Sequence, residues 1–153
     1  MKRPIRKLND TSRIPVNRPV RHVVAGLILR GEGDVREVLV CQRRPDQPMG
    51  SKWEFPGGKV EQGETAEVAL ARELNEELGI HAIIGRRLTT VRHSYRNGSL
   101  IEIQFFVVDS FTNELENRIF LEMQWSSLSR LPDFDFLAAD LTLIRDLADG
   151  KLL

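Results

Sequence analysis

A chain of 153 residues, 41% hydrophobic and 29% charged, has the length and balance of one soluble globular domain, without room for a second full core. Net charge is zero, no apolar run approaches the roughly 20 residues of a bilayer span, and no signal-like h-region opens the chain, so a cytoplasmic protein without a membrane partner is expected. A single cysteine, Cys41, excludes an intrachain disulfide and thiolate metal motifs; between Val40 and Gln42 it reads as a buried strand thiol.

In chain order, Lys2, Arg3, Arg6, Lys7, Arg13, Arg18 and Arg21 face only Asp10, and Pro4, Pro15 and Pro19 interrupt any periodicity. Residues 1–20 are therefore predicted to be a basic, poorly ordered arm, with the domain at 21–153. Residues 22–29 and 38–42 are apolar, β-branched runs on either side of a turn at 31–34, and predict two strands. A loop over 45–52 leads to Trp53, Glu54, Phe55, Pro56, Gly57 and Gly58, a brief extended piece that ends in a tight turn. Val68, Ala69, Leu70, Ala71, Leu74 and Leu78 form an apolar stripe that predicts a helix over 65–78, with Gly79 as its stop. Residues 80–91 and 100–108 are strand-like and flank Asn97-Gly98, a hairpin signal; 120–125 suggests another strand and 137–147 a C-terminal helix.

The chemistry is concentrated at 58–80. On the predicted helix Glu73, Glu76 and Glu77 fall at i, i+3 and i+4, so three carboxylates share one face within a turn. Such a face can simply be solvated, with Arg72 and Lys59 as ion-pair partners. The Gly57-Gly58 turn upstream, Glu64 at the helix start and Arg72 beside the first carboxylate point instead to a metal cup. Carboxylate and backbone carbonyl oxygens are the hard ligands that Mg²⁺ takes, completed by water and substrate phosphates.

The segment resembles the Nudix box, G-x5-E-x7-R-E-U-x-E-E-x-G-U with U aliphatic, at Gly58, Glu64, Arg72, Glu73, Leu74, Glu76, Glu77, Gly79 and Ile80. Outside it, residues 24–29, 42–45 and 53–59 are similar to the MutT-like nucleoside triphosphate pyrophosphohydrolases, and the likeness runs from about residue 22 to 147. The resemblance implies an α/β fold, the Nudix α/β/α sandwich with a central mixed β-sheet between helices. It implies Mg²⁺-dependent hydrolysis, with Mn²⁺ as a substitute, of (deoxy)nucleoside triphosphates to nucleoside monophosphate and pyrophosphate by attack at the β-phosphorus. The role it suggests is nucleotide-pool sanitation.

Carried over residue by residue, Glu73, Glu76, Glu77 and the Gly57 carbonyl hold the metal, while Glu64 and Arg72 orient the loop and helix. Many relatives place a further acidic residue six positions before the tryptophan of the late strand, but six positions before Trp125 stands Ile119. Glu116 and Glu122 are its neighbours in sequence, and the general base is unassigned. Arg43 or Arg44 follows the second strand where relatives place an arginine near the nucleotide, and Lys59, Phe55 and Tyr95 complete the substrate-binding candidates. Where the MutT type carries an asparagine that reads oxidised guanine, this chain has Asp140. Ionised, Asp140 accepts from amino groups of cytosine or adenine or from guanine N1 and N2; protonated, it also donates. It equally reads as the N-cap of the last helix. The Ala139-Asp140 pair resembles CTP or modified-dCTP pyrophosphohydrolases, so 8-oxo-dGTP and a cytosine nucleotide are both open as substrates.

Three alternatives follow from the same residues: an RNA 5′-pyrophosphohydrolase assisted by the basic arm, an enzyme for another nucleoside-diphosphate-linked substrate, and a non-catalytic nucleotide-sensing domain. Activity on free triphosphates that survives removal of the arm would argue against the first, and three retained, mutually repelling carboxylates argue against the last. The expected partner is a small nucleotide, with RNA an open possibility and the protein a monomer or homodimer.

Overall fold

The computed structural model describes residues 19–153; the expectation of a disordered arm falls almost wholly on residues outside that range. The central strand β1 (Val20–Arg30) runs parallel to β6 (Leu100–Thr112) along nine paired positions, from Val20 beside Leu100 to Ile28 beside Val108. β5 (His81–Ser94) pairs antiparallel with β6 and closes that side of the sheet. The other edge of β1 forks. It pairs with β2 (Glu37–Gln42) only at Leu29 and Arg30, and with β4 (Gly57–Lys59) at Val23, Val24 and Ala25. β2 then carries β3 (Trp53–Glu54) at Cys41 and Gln42, and β7 (Glu122–Ser127) along its whole length on the opposite edge.

The expected mixed sheet between helices is what forms. Val24, Ile28, Leu39 and Cys41 turn to one face, where Ala69, Leu70, Leu74 and Leu78 of helix α1 (Ala66–Leu78) cover them. Ala25, Leu27, Val38 and Val40 turn to the other, packed with Leu143, Ile144 and Leu147 of helix α2 (Leu141–Ala148). Strand alternation therefore buries both faces, which explains why 24–29 and 38–41 read as continuous apolar runs.

Helix α1 begins where Thr65 Oγ1 accepts from the Val68 N–H at 3.2 Å and stops at Gly79, whose φ of 73° lies in the left-handed region. Glu64 thus precedes the helix instead of beginning it. The C-terminal helix starts later than residue 137: Ala138–Asp140 is a 3₁₀ turn, and α2 follows at Leu141. A further 3₁₀ segment, Leu128–Asp133, follows β7 and has no counterpart in the sequence reading. No helix among the described residues is long and apolar enough to cross a membrane.

Candidate active site

Pairing of β1 with β2 over two residues and their divergence beyond them leave a cleft of about 300 Å³. Ala25 and Phe105 form part of its floor, Gly57 and Glu77 one wall, and Arg43, Glu54 and Asp140 the other. Its volume suits a nucleoside-sized ligand.

On the helix side, Arg72 is the hub. Its Nε and Nη2 donate to Glu64 Oε2 and Oε1 at 2.7 and 2.9 Å, Nη2 also donates to the Lys59 carbonyl at 3.0 Å, and Nη1 reaches Glu73 Oε2 at 3.2 Å and Glu76 Oε2 at 3.3 Å. The bidentate pair ties β4 and the loop after it to α1. Hydrogen bonds from Arg72 and from the Glu61 N–H hold the Glu64 carboxyl down at about 2. Glu64 is therefore a fixed anion whose charge is spent on Arg72.

Glu77 is different. Burial, then the charges of Glu73 and Glu54, push its carboxyl up to about 9, against a single hydrogen bond from the Gly57 N–H at 3.2 Å. Burial also raises Glu73, with Arg72 opposing. A Cβ on Gly57 would run into the Val24 backbone, so a glycine is required there, whereas one on Gly58 would meet only the Glu73 carboxylate, the far end of a flexible side chain that would have to shift. Glu76 is 57% exposed on its side chain and turned to Arg72. Among the described residues no three His, Cys, Asp or Glu side chains are already gathered as a cage. The donor set nonetheless fits a divalent cation: it is all oxygen, it is anionic, and Glu77 lacks the positive partner that its burial requires.

The opposite wall carries a residue missed in the sequence. Glu54 is largely buried, and Arg43 Nη1 donates to both of its oxygens at 3.1 and 3.2 Å, while Arg43 Nε donates to the Pro48 carbonyl at 3.0 Å. Burial raises the Glu54 carboxyl in spite of Arg43. Trp53 and Phe55 are core residues, and both Glu54 and Phe55 line the cleft. Asp140 is 3% exposed, lines the same cleft and has no side-chain hydrogen bond or ion pair among the described residues. It occupies the N-cap position of α2 without capping it. Burial and then the Glu54 charge raise it from 3.8 to about 7.

The remaining candidates separate cleanly. Lys59, Phe55 and Tyr95 line the cleft, Phe55 as a core residue against Phe105 and Phe136 and Tyr95 edge-on to His93 at 4.8 Å. Arg44 does not line it: its Nε donates to the Ile119 carbonyl at 2.9 Å and ties two loops together. Ile119 itself borders the cleft. Glu116 pairs with Arg118 at 2.7 Å beside the C-terminal end of α1, and Glu122 accepts from Gln124 on β7. Neither lines the cleft, so neither Glu116 nor Glu122 takes the place of Ile119 there.

Carboxylates crowded this closely, on a cleft between two half-sheets, point to the class of hydrolases that hold polyphosphates through divalent cations. The chain belongs to the NUDIX family: the NUDIX domain model matches residues 20–147. It is 41% identical over 97 residues to the 8-oxo-dGTP diphosphatase of Proteus vulgaris, covering 63% of this chain and 83% of the relative. It is 33% identical over 122 residues to the CTP pyrophosphohydrolase of Escherichia coli K12, covering 80% and 87% of the two chains. The solution structure of the Escherichia coli ORF135 protein superposes with a TM-score of 0.74 at 30% identity, over 85% of this chain and 89% of that one.

Proposed function

We propose that the protein hydrolyses nucleoside triphosphates to nucleoside monophosphate and pyrophosphate in a Mg²⁺-dependent reaction, and that cytosine triphosphates, CTP or a modified dCTP, are its preferred substrates. The observation that carries the base assignment is Asp140, a buried carboxyl without a side-chain hydrogen-bonding partner among the described residues, facing a nucleoside-sized cleft. Buried polar groups of this kind are normally satisfied, and a ligand is the natural complement. With its carboxyl raised to about 7, Asp140 holds a proton for much of the neutral range. A protonated carboxyl donates to cytosine N3 and accepts from the N4 amino group, a two-point match. Glu54, whose oxygens already take hydrogen bonds from Arg43, offers an acceptor to a further amino hydrogen. The ionised form of Asp140 instead accepts from N1 and N2 of a guanine, and the similarity to the 8-oxo-dGTP diphosphatase favours 8-oxo-dGTP as the second substrate.

Glu73, Glu76 and Glu77, with the Gly57 carbonyl, would hold Mg²⁺; the ion supplies neutralisation of phosphate charge and activation of water. Arg72 aims Glu73 and Glu76, and Glu64 anchors Arg72. The apolar floor at Ala25 and Phe105 excludes water from the face of the base. Two hydrogen bonds set one end of the substrate and the carboxylate helix the other, so the phosphate chain is stretched past Gly57 and Gly58.

The test is a panel of ordinary and modified nucleoside triphosphates with Mg²⁺, scored for pyrophosphate against phosphate release. Pyrophosphate release greatest with CTP or a 5-substituted dCTP is expected; phosphate release, or indifference to the base, would overturn the assignment. Glu76→Gln is expected to lower kcat by about a hundredfold or more, in the range that loss of an ordered site group produces. A Glu76→Gln protein as active as the original would sink the metal assignment.

A further inference from the structure

Arg21 lines the cleft from β1, four residues before Ala25. Strand alternation sends Arg21, Val23 and Ala25 of β1 into the cleft, while His22 and Val24 turn to the α1 face, His22 against Glu102 at 3.3 Å. The antiparallel ladder sets Lys59 of β4 directly across from Val23. Lys59 and Arg21 are therefore diagonal neighbours on one face, roughly 7 Å apart at the backbone, a separation that long side chains span. Both are exposed, and among the described residues neither side chain has an ion pair or hydrogen bond. Arg43, the other cation of the cleft, is neutralised by Glu54. Two like charges are thus set diagonally across β1 and β4, neither of them ion-paired among the described residues, beside Gly57 and Gly58 of β4.

We infer that Arg21 binds the terminal phosphate of the substrate and closes on it together with Lys59. The inference rests on the triphosphate reading above and adds to it what measures the length of the phosphate chain. A nucleotide anchored at Asp140, with its phosphates beside Glu77 and Gly57, runs next along β4 toward Lys59 and then Arg21. A guanidinium fork takes two oxygens of one phosphate, and a fully ionised triphosphate brings the negative charge that this corner lacks. The monophosphate product has no group that reaches it. Arg21 thus favours triphosphate over monophosphate binding and leaves the monophosphate free to depart, while the pyrophosphate product, which keeps the terminal phosphate, is the one it retains.

Arg21→Gln and Arg21→Lys, compared with the unmutated protein, test the assignment by three measurements: KM and kcat for CTP, inhibition by CMP, and calorimetric titration with inorganic tripolyphosphate. Arg21→Gln is expected to raise KM and weaken tripolyphosphate binding by roughly tenfold, the effect of one lost charge-assisted hydrogen bond, with CMP inhibition unchanged and partial recovery in Arg21→Lys. Unchanged KM and tripolyphosphate affinity would overturn the role. So would CMP inhibition weakened in the same proportion, which would place Arg21 on the base or sugar. Failure of the triphosphate reading shows separately, as absence of pyrophosphate release by the unmutated protein, while the tripolyphosphate titration still decides Arg21.

Discussion

Burial moves the Asp140 carboxyl from 3.8 to about 7, with Glu54 adding repulsion. Because the folded-state value lies above the unfolded one, the folded protein retains a proton that the unfolded chain releases between those limits. This contribution to stability is full below about pH 4 and is lost as pH rises toward about 7. Asp140→Asn removes the titration. Its urea midpoint is expected to change less between pH 4 and pH 8 than that of the unmutated protein, and to exceed it at pH 8; parallel slopes would refute this. An amide keeps the donor–acceptor pair of the protonated carboxyl, so pyrophosphate release from CTP should survive the exchange and no longer depend on protonation of residue 140. Asp140 was legible because the segment around it resembles a known base-reading turn. Glu54 was not, because an acid between two aromatic residues reads as a solvent-facing strand position, and only the divergence of β1 from β2 turns that side into a cleft.

Helix α1 could be read almost to the residue, since its apolar stripe, its Thr65 cap and its Gly79 stop agree with one another. Leu74, fully buried one position from Glu73, is the keystone of its packing on the sheet. Leu74→Ala is expected to cost about 2–5 kcal/mol in urea unfolding, and Thr65→Ala about 1 kcal/mol. Equal, small losses in both would show that α1 is held by something other than this stripe. The start of α2 was misplaced for a reason outside its own segment. Trp53 N–H donates to the Asp135 carbonyl and Leu137 N–H to the Trp53 carbonyl, at 2.9 and 3.0 Å, so the chain is pinned to β3 in an extended conformation at Leu137. Helical spacing of Leu137, Leu141 and Ile144 gives no sign of that tether. The tight turn that follows is what aims Asp140 inward instead of leaving it as a cap.

At the scale of the molecule, burial and the charges of Glu73 and Glu54 all oppose ionisation of Glu77, which has the Gly57 N–H but no positive partner among the described residues. A divalent ion that binds only the folded form should therefore raise thermal stability: at a hundredfold excess over Kd by about 2.7 kcal/mol, or roughly 5–10 °C. Calorimetry with Mg²⁺ and with chelator measures it; Glu77→Gln should shrink the increment, and an undiminished one would move the ion elsewhere. The general architecture was legible from the box, through the resemblance it carries, and from the apolar strand runs. The division of the sheet was not, because strand pairings between distant segments leave no local periodicity.

That division reaches beyond stability. The residues proposed to face the base, Arg43, Glu54 and Asp140, lie on the β2–β3 side and on the turn before α2, and those proposed to face the phosphates, Gly57, Glu73 and Glu77, on the β1–β4–α1 side, with Phe55 and Pro56 joining β3 to β4. Mutations can thus accumulate in one half while the other keeps its task. A lineage built on this plan is free to change the nucleobase it removes from the cell's pool without relearning how to break the anhydride.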